Sequence, residues 1–125
     1  MNGYKVEIKE SSKELSAKER IWIKDTTTAH RLDELTKEGK IKIDIDFYAV
    51  LTVHNENSKD NKDYENYILV DKEGEKYLTG SESFFNAFMG IYEEMDGEEE
   101  DWSIVAYRMP SKNYSGKDFL TCSIA

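Results

Sequence analysis

The chain has 125 residues, and its 26 acidic against 17 basic side chains give a formal net charge of −9. This length suits one domain, and the net charge disfavours binding of nucleic acid or anionic membranes over the whole surface. The single cysteine, Cys122, excludes an internal disulfide and a multi-cysteine metal site. We therefore predict a single domain over residues 1–125.

The same features predict a cytoplasmic location. A lone cysteine suits a reducing compartment, and the first residues, MNGYKVEIKE, carry no apolar signal segment. No apolar run approaches the roughly 18 residues that a membrane span needs. We expect no membrane association.

The first forty residues contain one clear strand and several ambiguous stretches. Apolar and charged side chains alternate over residues 4–9, which predicts a strand. Residues 10–20 are polar and give no assignment, whereas Ile-Trp-Ile at 21–23 predicts a short strand. Residues 26–39 predict a turn or a short helix that ends at Gly39.

The strongest pattern lies between Ile41 and Val53. Odd positions are apolar and even positions mostly polar, which predicts a long strand with one buried face in an antiparallel sheet. Because strands usually have about 5–6 residues, we expect this one to bend or to carry a bulge. One aromatic residue, Tyr48, falls on the polar face, where we expect it to be exposed.

The second half of the chain predicts two hairpins with a helix between them. The predicted segments are a polar loop at 55–63, strands at 64–71 and 76–78, a helix at about 82–96, and strands at 102–109 and 117–125. Ser81 or Ser83 can cap the helix, whose apolar residues recur at helical spacing from Phe84 to Met95. These elements indicate a mainly β (β-rich α+β) fold, either a small OB-like barrel or a strongly bent antiparallel sheet of five to six strands with one amphipathic helix.

Patterns for catalysis or metal binding are sparse. The two histidines, His30 and His54, have no nucleophile or metal-ligand spacing around them. Asp44 and Asp46 lie two apart on one strand face, a pair that can bind a cation but usually only faces solvent. Cys122 alternates with apolar neighbours and is expected in the core. We predict a protein that is not an enzyme and that needs no cofactor or metal.

Aromatic and basic residues concentrate near the C-terminal hairpin. Residues 105–117 contain three bases and no acid, and several aromatic residues lie among or beside them. Single-stranded nucleic acid needs this combination, because bases stack on rings and phosphates pair with cations. The predicted nucleic-acid-binding residues are Tyr48, Tyr107, Arg108, Lys112, Tyr114, Lys117 and Phe119.

Two stretches of the second half match a known family pattern. They read NYILVDKEGEKYLTGSESFF and SIVAYRMPSKNYSGKDFLTCSI, and the matching positions are Asp71, Gly74, Tyr77, Ser81, Ser83, Ser111, Lys112, Asn113, Gly116, Lys117 and Phe119. Over residues 64–125 the chain resembles small phage-type single-stranded-DNA-binding proteins. The resemblance implies an OB-like sheet that binds single-stranded DNA during phage or mobile-element replication or recombination, in the host cytoplasm.

The C-terminus departs from that family pattern. Many such proteins end in an acidic tail that recruits replication partners, whereas this chain ends in TCSIA. Its acidic run, EEMDGEEED, is internal at residues 93–101. Replication or recombination proteins are therefore expected partners of this internal segment, if it replaces the tail.

Two alternatives remain open at this point. The acidic run, together with Asp44, Asp46, Asp60 and Asp63, suggests an inhibitor that imitates nucleic-acid charge and occupies a basic groove on a host defence or DNA-processing protein. A structural or assembly protein of a mobile element is the other alternative, and a large apolar surface patch would indicate it. The sequence leaves the oligomeric state open.

Overall fold

The computed structural model describes residues 4–56, 63–110 and 118–125. The strands are β1 Tyr4–Ser11, β2 His30–Arg31, β3 Ile41–Asn55, β4 Asp63–Asp71, β5 Lys76–Thr79, β6 Ser103–Pro110 and β7 Asp118–Ile124. The helices are α1 Ala17–Lys24, α2 Leu32–Leu35 and α3 Glu82–Met95. The predicted mainly β fold class is confirmed. Within the described ranges there are seven strands rather than five or six, and two short helices accompany the predicted one.

The chain divides into two compact units, and β3 contributes to both. The first unit comprises Met1–His30 and Asp46–Gly80, and the second comprises Arg31–Ile45 and Ser81–Ala125. The single domain over 1–125 stays a prediction.

The first unit is a sheet with α1 as its main helix. Hydrogen-bonded neighbours run β5, β4, β3, and β1 also pairs antiparallel with β3. The register between β1 and β3 shifts between Ile8 and Glu10, an irregularity of the kind that a long strand was expected to show. The buried core consists of Leu15, Ile23, Phe47, Ala49, Leu51, Ile68, Val70 and Leu78.

Residues 21–23 lie in α1, so the predicted short strand is wrong. Ser16 and Glu19 form a capping box: the Ser16 hydroxyl accepts from the Glu19 amide at 3.2 Å, and the Glu19 carboxylate accepts from the Ser16 amide at 2.9 Å. These bonds satisfy amide groups that a helix start otherwise leaves without partners. Ile23 is then buried in the core while Ile21 is exposed, which a helix allows.

The hairpin between β4 and β5 explains three residues of the family pattern. The Asp71 carboxylate accepts from the amides of Glu73 and Glu75, each at 2.9 Å, and from the Tyr77 hydroxyl at 3.1 Å. Gly74 has φ +85°, a conformation that side-chain-bearing residues rarely adopt. Asp71, Gly74 and Tyr77 thus build a turn in this chain.

The second unit combines a three-stranded sheet with α3. The start of β3 pairs with β6 from Ile41 opposite Ala106 to Asp44 opposite Ser103, and β6 pairs with β7. The predicted helix at 82–96 is confirmed, with Ser81 accepting from the amide of Phe84. Fully or nearly fully buried side chains of this unit include Leu32, Ile43, Phe84, Phe88, Ile104, Ala106, Leu120 and Cys122.

Candidate nucleic-acid interface

Alternation along β6 and β7 places two different sets of side chains on the two faces of the hairpin. Ile104, Ala106, Leu120 and Cys122 are buried and share one face. The residues between them point the other way and are partly or fully exposed. Lys42 joins this second set because it pairs with Val105. We call this set the outer face: Lys40, Lys42, Val105, Tyr107, Met109, Phe119, Thr121 and Ser123.

The Tyr107 ring is held in place from two sides. Its hydroxyl lies 2.6 Å from the Ser123 hydroxyl on the neighbouring strand. The Lys40 ammonium lies over the ring, 5.3 Å from its centroid, at cation–π distance. The ring is half-buried, so its remaining surface is available at the outer face.

Phe119 and Met109 form the most exposed apolar part of the outer face. They lie opposite each other in the hairpin and are 39% and 43% exposed. Since Tyr107 lies opposite Thr121, the rings of Tyr107 and Phe119 are diagonal neighbours, a spacing of about 7–8 Å between Cα atoms in antiparallel pairs. Two aromatic residues are therefore diagonal neighbours on the outer face.

The outer face carries two lysines on an acidic chain. Lys40 and Lys42 are exposed, and within the described ranges neither forms an ion pair. Asp44 lies on the same side of β3 beyond Lys42, and it accepts a hydrogen bond from the Ser103 hydroxyl. An anion that approaches Lys40 and Lys42 displaces no ion-paired carboxylate of the described residues, although Asp44, Glu100 and Asp101 lie close to Lys42.

Tyr48 is not a surface residue, so its predicted role as an exposed stacking platform is wrong. Its side chain is only 5% exposed, its hydroxyl donates to the Glu10 carboxylate at 3.3 Å, and its amide donates to the Ser12 hydroxyl. From Phe47 to Leu51 every side chain of β3 is buried, on both faces. The alternating pattern of residues 41–53 had suggested one solvent face along the whole strand.

Arg108 lies apart from the aromatic rings, contrary to its predicted role beside them. It alternates with Tyr107 on β6 and therefore points to the opposite face. Its guanidinium donates to the carbonyl of Asp33 at 2.7 Å and to the hydroxyl of Thr36 at 3.2 Å. These bonds make Arg108 a tie between β6 and α2.

The structure thus brings together Tyr107 and Phe119 of the predicted set. Lys112, Tyr114 and Lys117 lie outside the described residues. Sequence reasoning missed Lys40 and Lys42, whose place on the outer face follows from the pairing of β3 with β6. The sequence placed these two lysines at the start of a predicted strand, but it did not indicate that this strand pairs with β6.

Other polar side chains are satisfied within the first unit. Both ring nitrogens of His54 face carboxylates, Asp63 at 2.5 Å and Glu56 at 2.6 Å, and these hydrogen bonds, with Glu56 first, raise the His54 pKa. The buried Lys76 ammonium donates to the carbonyls of Trp22 and Asp25, and burial lowers its pKa.

Within the described ranges, Cys122 is a candidate nucleophile and the acidic side chains are candidate metal ligands. Burial raises the pKa of the Cys122 thiol to about 12, so the nucleophilic thiolate is scarce at neutral pH. Over residues 4–56, 63–110 and 118–125, no three His, Cys, Asp or Glu side chains are grouped as metal ligands.

Comparison with known proteins yields no relative. No protein-family model, curated protein or solved structure matches this chain. In the part of the chain that the structure describes, every helix is too short or too polar to cross a membrane.

Proposed function

We propose that this chain binds single-stranded DNA through the outer face, with little preference for base sequence. One observation carries the proposal: a single sheet surface combines the exposed Phe119 ring and the anchored Tyr107 ring with lysines that form no ion pair among the described residues. Each nucleotide of a single strand offers a flat base and a phosphate, so this surface matches both parts of the ligand. The resemblance of residues 64–125 to phage-type single-stranded-DNA-binding proteins adds support.

Base stacking provides the part of the binding free energy that does not depend on charge. The Phe119 ring has no polar atom, so a base that covers it removes apolar surface from water without breaking a hydrogen bond. Stacking on an aromatic side chain contributes about 1–3 kcal/mol per base. Because all four bases have a π-face, this contribution does not discriminate among sequences.

Lys40 couples stacking to phosphate binding. Its ammonium occupies one side of the Tyr107 ring at 5.3 Å from the centroid. A base that stacks on that side takes the place of the ammonium, which then pairs with a phosphate of the same strand. The ring exchanges one partner for another, and the cation gains an anionic partner that it lacks among the described residues.

Titration of a fluorescent oligo-dT tests the proposal at several salt concentrations, with duplex DNA as a competitor. We expect saturable binding to the single strand that weakens with salt. Lys40→Ala and Lys42→Ala should each reduce the slope of log affinity against log salt by about 0.7, the value per phosphate contact on single strands. Equal affinity for duplex and single strand would contradict the proposal.

Lys37 provides a matched control for the lysine variants. It is exposed, lies outside the outer face and pairs with Glu34 at 3.5 Å. Lys37→Ala removes the same charge and should leave the salt slope unchanged. A slope that falls equally in all three variants would indicate a general charge effect and would argue against a site at the outer face.

Mimicry of nucleic-acid charge has less support. A mimic needs its acids along one face, free to meet a basic groove. Asp63 is bonded to His54 in the first unit, and Asp44 accepts from Ser103 in the second. The predicted Asp60 lies outside the described residues. Asp46 is exposed, and within residues 4–56, 63–110 and 118–125 the run at 93–101 is the longest continuous set of exposed acids.

A further inference from the structure

A shallow groove with a mixed polar and apolar lining lies where α3 ends and β6 begins. It has a volume of about 280 Å³, and its apolar lining comes from Met95, Trp102 and Ile124. Two acidic residues, Glu100 and Asp101, and one basic residue, Lys42, also line it. Ile124 is 52% exposed, so apolar surface in the groove contacts solvent.

An apolar side chain with basic neighbours lies on α1. Ile21 is 71% exposed, the largest exposure among the large hydrophobic side chains that the structure describes. Lys18 and Lys24, three positions before and after it, are exposed on the same helix face. The acid of this helix, Glu19, is engaged by Lys13 at 2.9 Å and by the cap at Ser16.

We propose that the groove of one copy of this chain receives Ile21 of a second copy. Ile21 would pack against Trp102 and Ile124, while Lys18 and Lys24 approach Glu100 and Asp101. Charge complementarity supports this occupant: copies with a net charge of −9 repel each other unless a basic patch meets an acidic one. The two complementary surfaces are both exposed, so each chain can offer one to each neighbour.

Each contact joins the helix patch of one copy to the groove of another, and these are two different surfaces. Repeated in one direction, such contacts extend into chains of copies, whereas two copies that exchange the contact form a closed dimer. One apolar side chain and two lysines form a small interface, and small interfaces are weak and transient. We therefore expect association only at high protein concentration and low salt. The inference does not depend on DNA binding.

Sedimentation equilibrium of the full chain, without nucleic acid, tests the contact. The average mass of the wild-type protein should rise with concentration at low salt and return to the monomer value at high salt. Ile21→Asp, Lys24→Glu and Glu100→Lys should each remain monomeric under all these conditions. Circular dichroism of each variant verifies that α1 and the sheet still fold.

Mixing variants gives the sharper result. Lys24→Glu and Glu100→Lys chains, each monomeric alone, should associate with each other because the exchanged charges match again. Lys37→Glu is the control for charge reversal and should associate like the wild type. A wild-type protein that stays monomeric at the highest concentration, association that survives Ile21→Asp, or a mixture that stays monomeric would each overturn the proposal.

Discussion

The two units of the chain differ in how many of their charged side chains form ion pairs. In the first unit, His54 and the lysines at positions 5, 9 and 13 are paired with carboxylates. Among the described residues, the second unit has one ion pair, between Lys37 and Glu34. On its outer face, Lys40 and Lys42 form no ion pair with any residue that the structure describes, and they share that face with Tyr107 and the exposed Phe119.

The ion-paired side chains of the first unit already interact within the chain, whereas the outer face of the second unit presents side chains that are available to a ligand. Exposed ion pairs add little stability, so those of the first unit mainly show that these particular charges already have partners. An exposed phenylalanine such as Phe119 also contributes little to the stability of the fold, because its ring remains partly in water. We propose that these groups of the outer face interact with a bound single strand.

The largest expected effect concerns the core of the second unit. Phe88 is fully buried and its ring lies 6.3 Å from that of Trp102. Phe88→Ala should lower the free energy of unfolding by about 3–5 kcal/mol, because it removes apolar contacts and leaves a cavity. Urea unfolding followed by Trp102 fluorescence in a Trp22→Phe background measures the change. Phe85→Ala, at a half-buried position of the same helix, should cost clearly less, and an equal cost would contradict the assigned packing.

A smaller effect is expected at the start of α1 in the first unit. Ser16→Ala removes the hydroxyl that accepts from the Glu19 amide. Loss of such a cap should lower the free energy of unfolding by about 1 kcal/mol. Urea unfolding of a Trp102→Phe variant reports on this unit through Trp22. Lys18→Ala, at an exposed site of the same helix, should leave the midpoint nearly unchanged; an equal shift would argue against the capping box.

The smallest expected effect is a pH dependence from His54. Glu56 and Asp63 raise its pKa, so the protonated ring stabilises the folded state. This stabilisation should be fully present below the ordinary pKa of about 6.5 and be lost as the pH rises through the raised value. NMR titration of the imidazole should give a pKa above 6.5, and His54→Gln should remove this part of the pH dependence of stability. A His54 pKa at or below 6.5 would contradict the observed pairing.

The sequence predicted periodic elements well and their surroundings poorly. The alternation of residues 41–53 identified β3, and helical spacing with a serine cap identified α3. Alternation could not reveal that both faces of β3 are buried near Tyr48, because burial depends on neighbours that are distant in sequence. At 21–23 three apolar residues were too few to distinguish a strand from a helix, and the cap at Ser16 was overlooked.

The candidate site was predictable only in part, for the same physical reason. Tyr107 and Phe119 belong to one local hairpin, whose register brings them to one face. Lys40 and Lys42 reach that face through pairing of β3 with β6, across about 60 residues of chain. Arg108 is adjacent to Tyr107 in sequence but, by strand geometry, lies on the opposite face.

The affinity of a Phe119→Ala variant for oligo-dT tests the central claim most directly. Its matched control is Tyr64→Ala, since Tyr64 is an aromatic residue of the first unit with 37% exposure against 39% for Phe119. Loss of one stacked base, about 1–3 kcal/mol, should weaken binding of Phe119→Ala roughly 5- to 150-fold. Tyr64→Ala should bind like the wild type. Unchanged binding by Phe119→Ala, or an equal loss in both variants, would contradict a stacking site on the outer face.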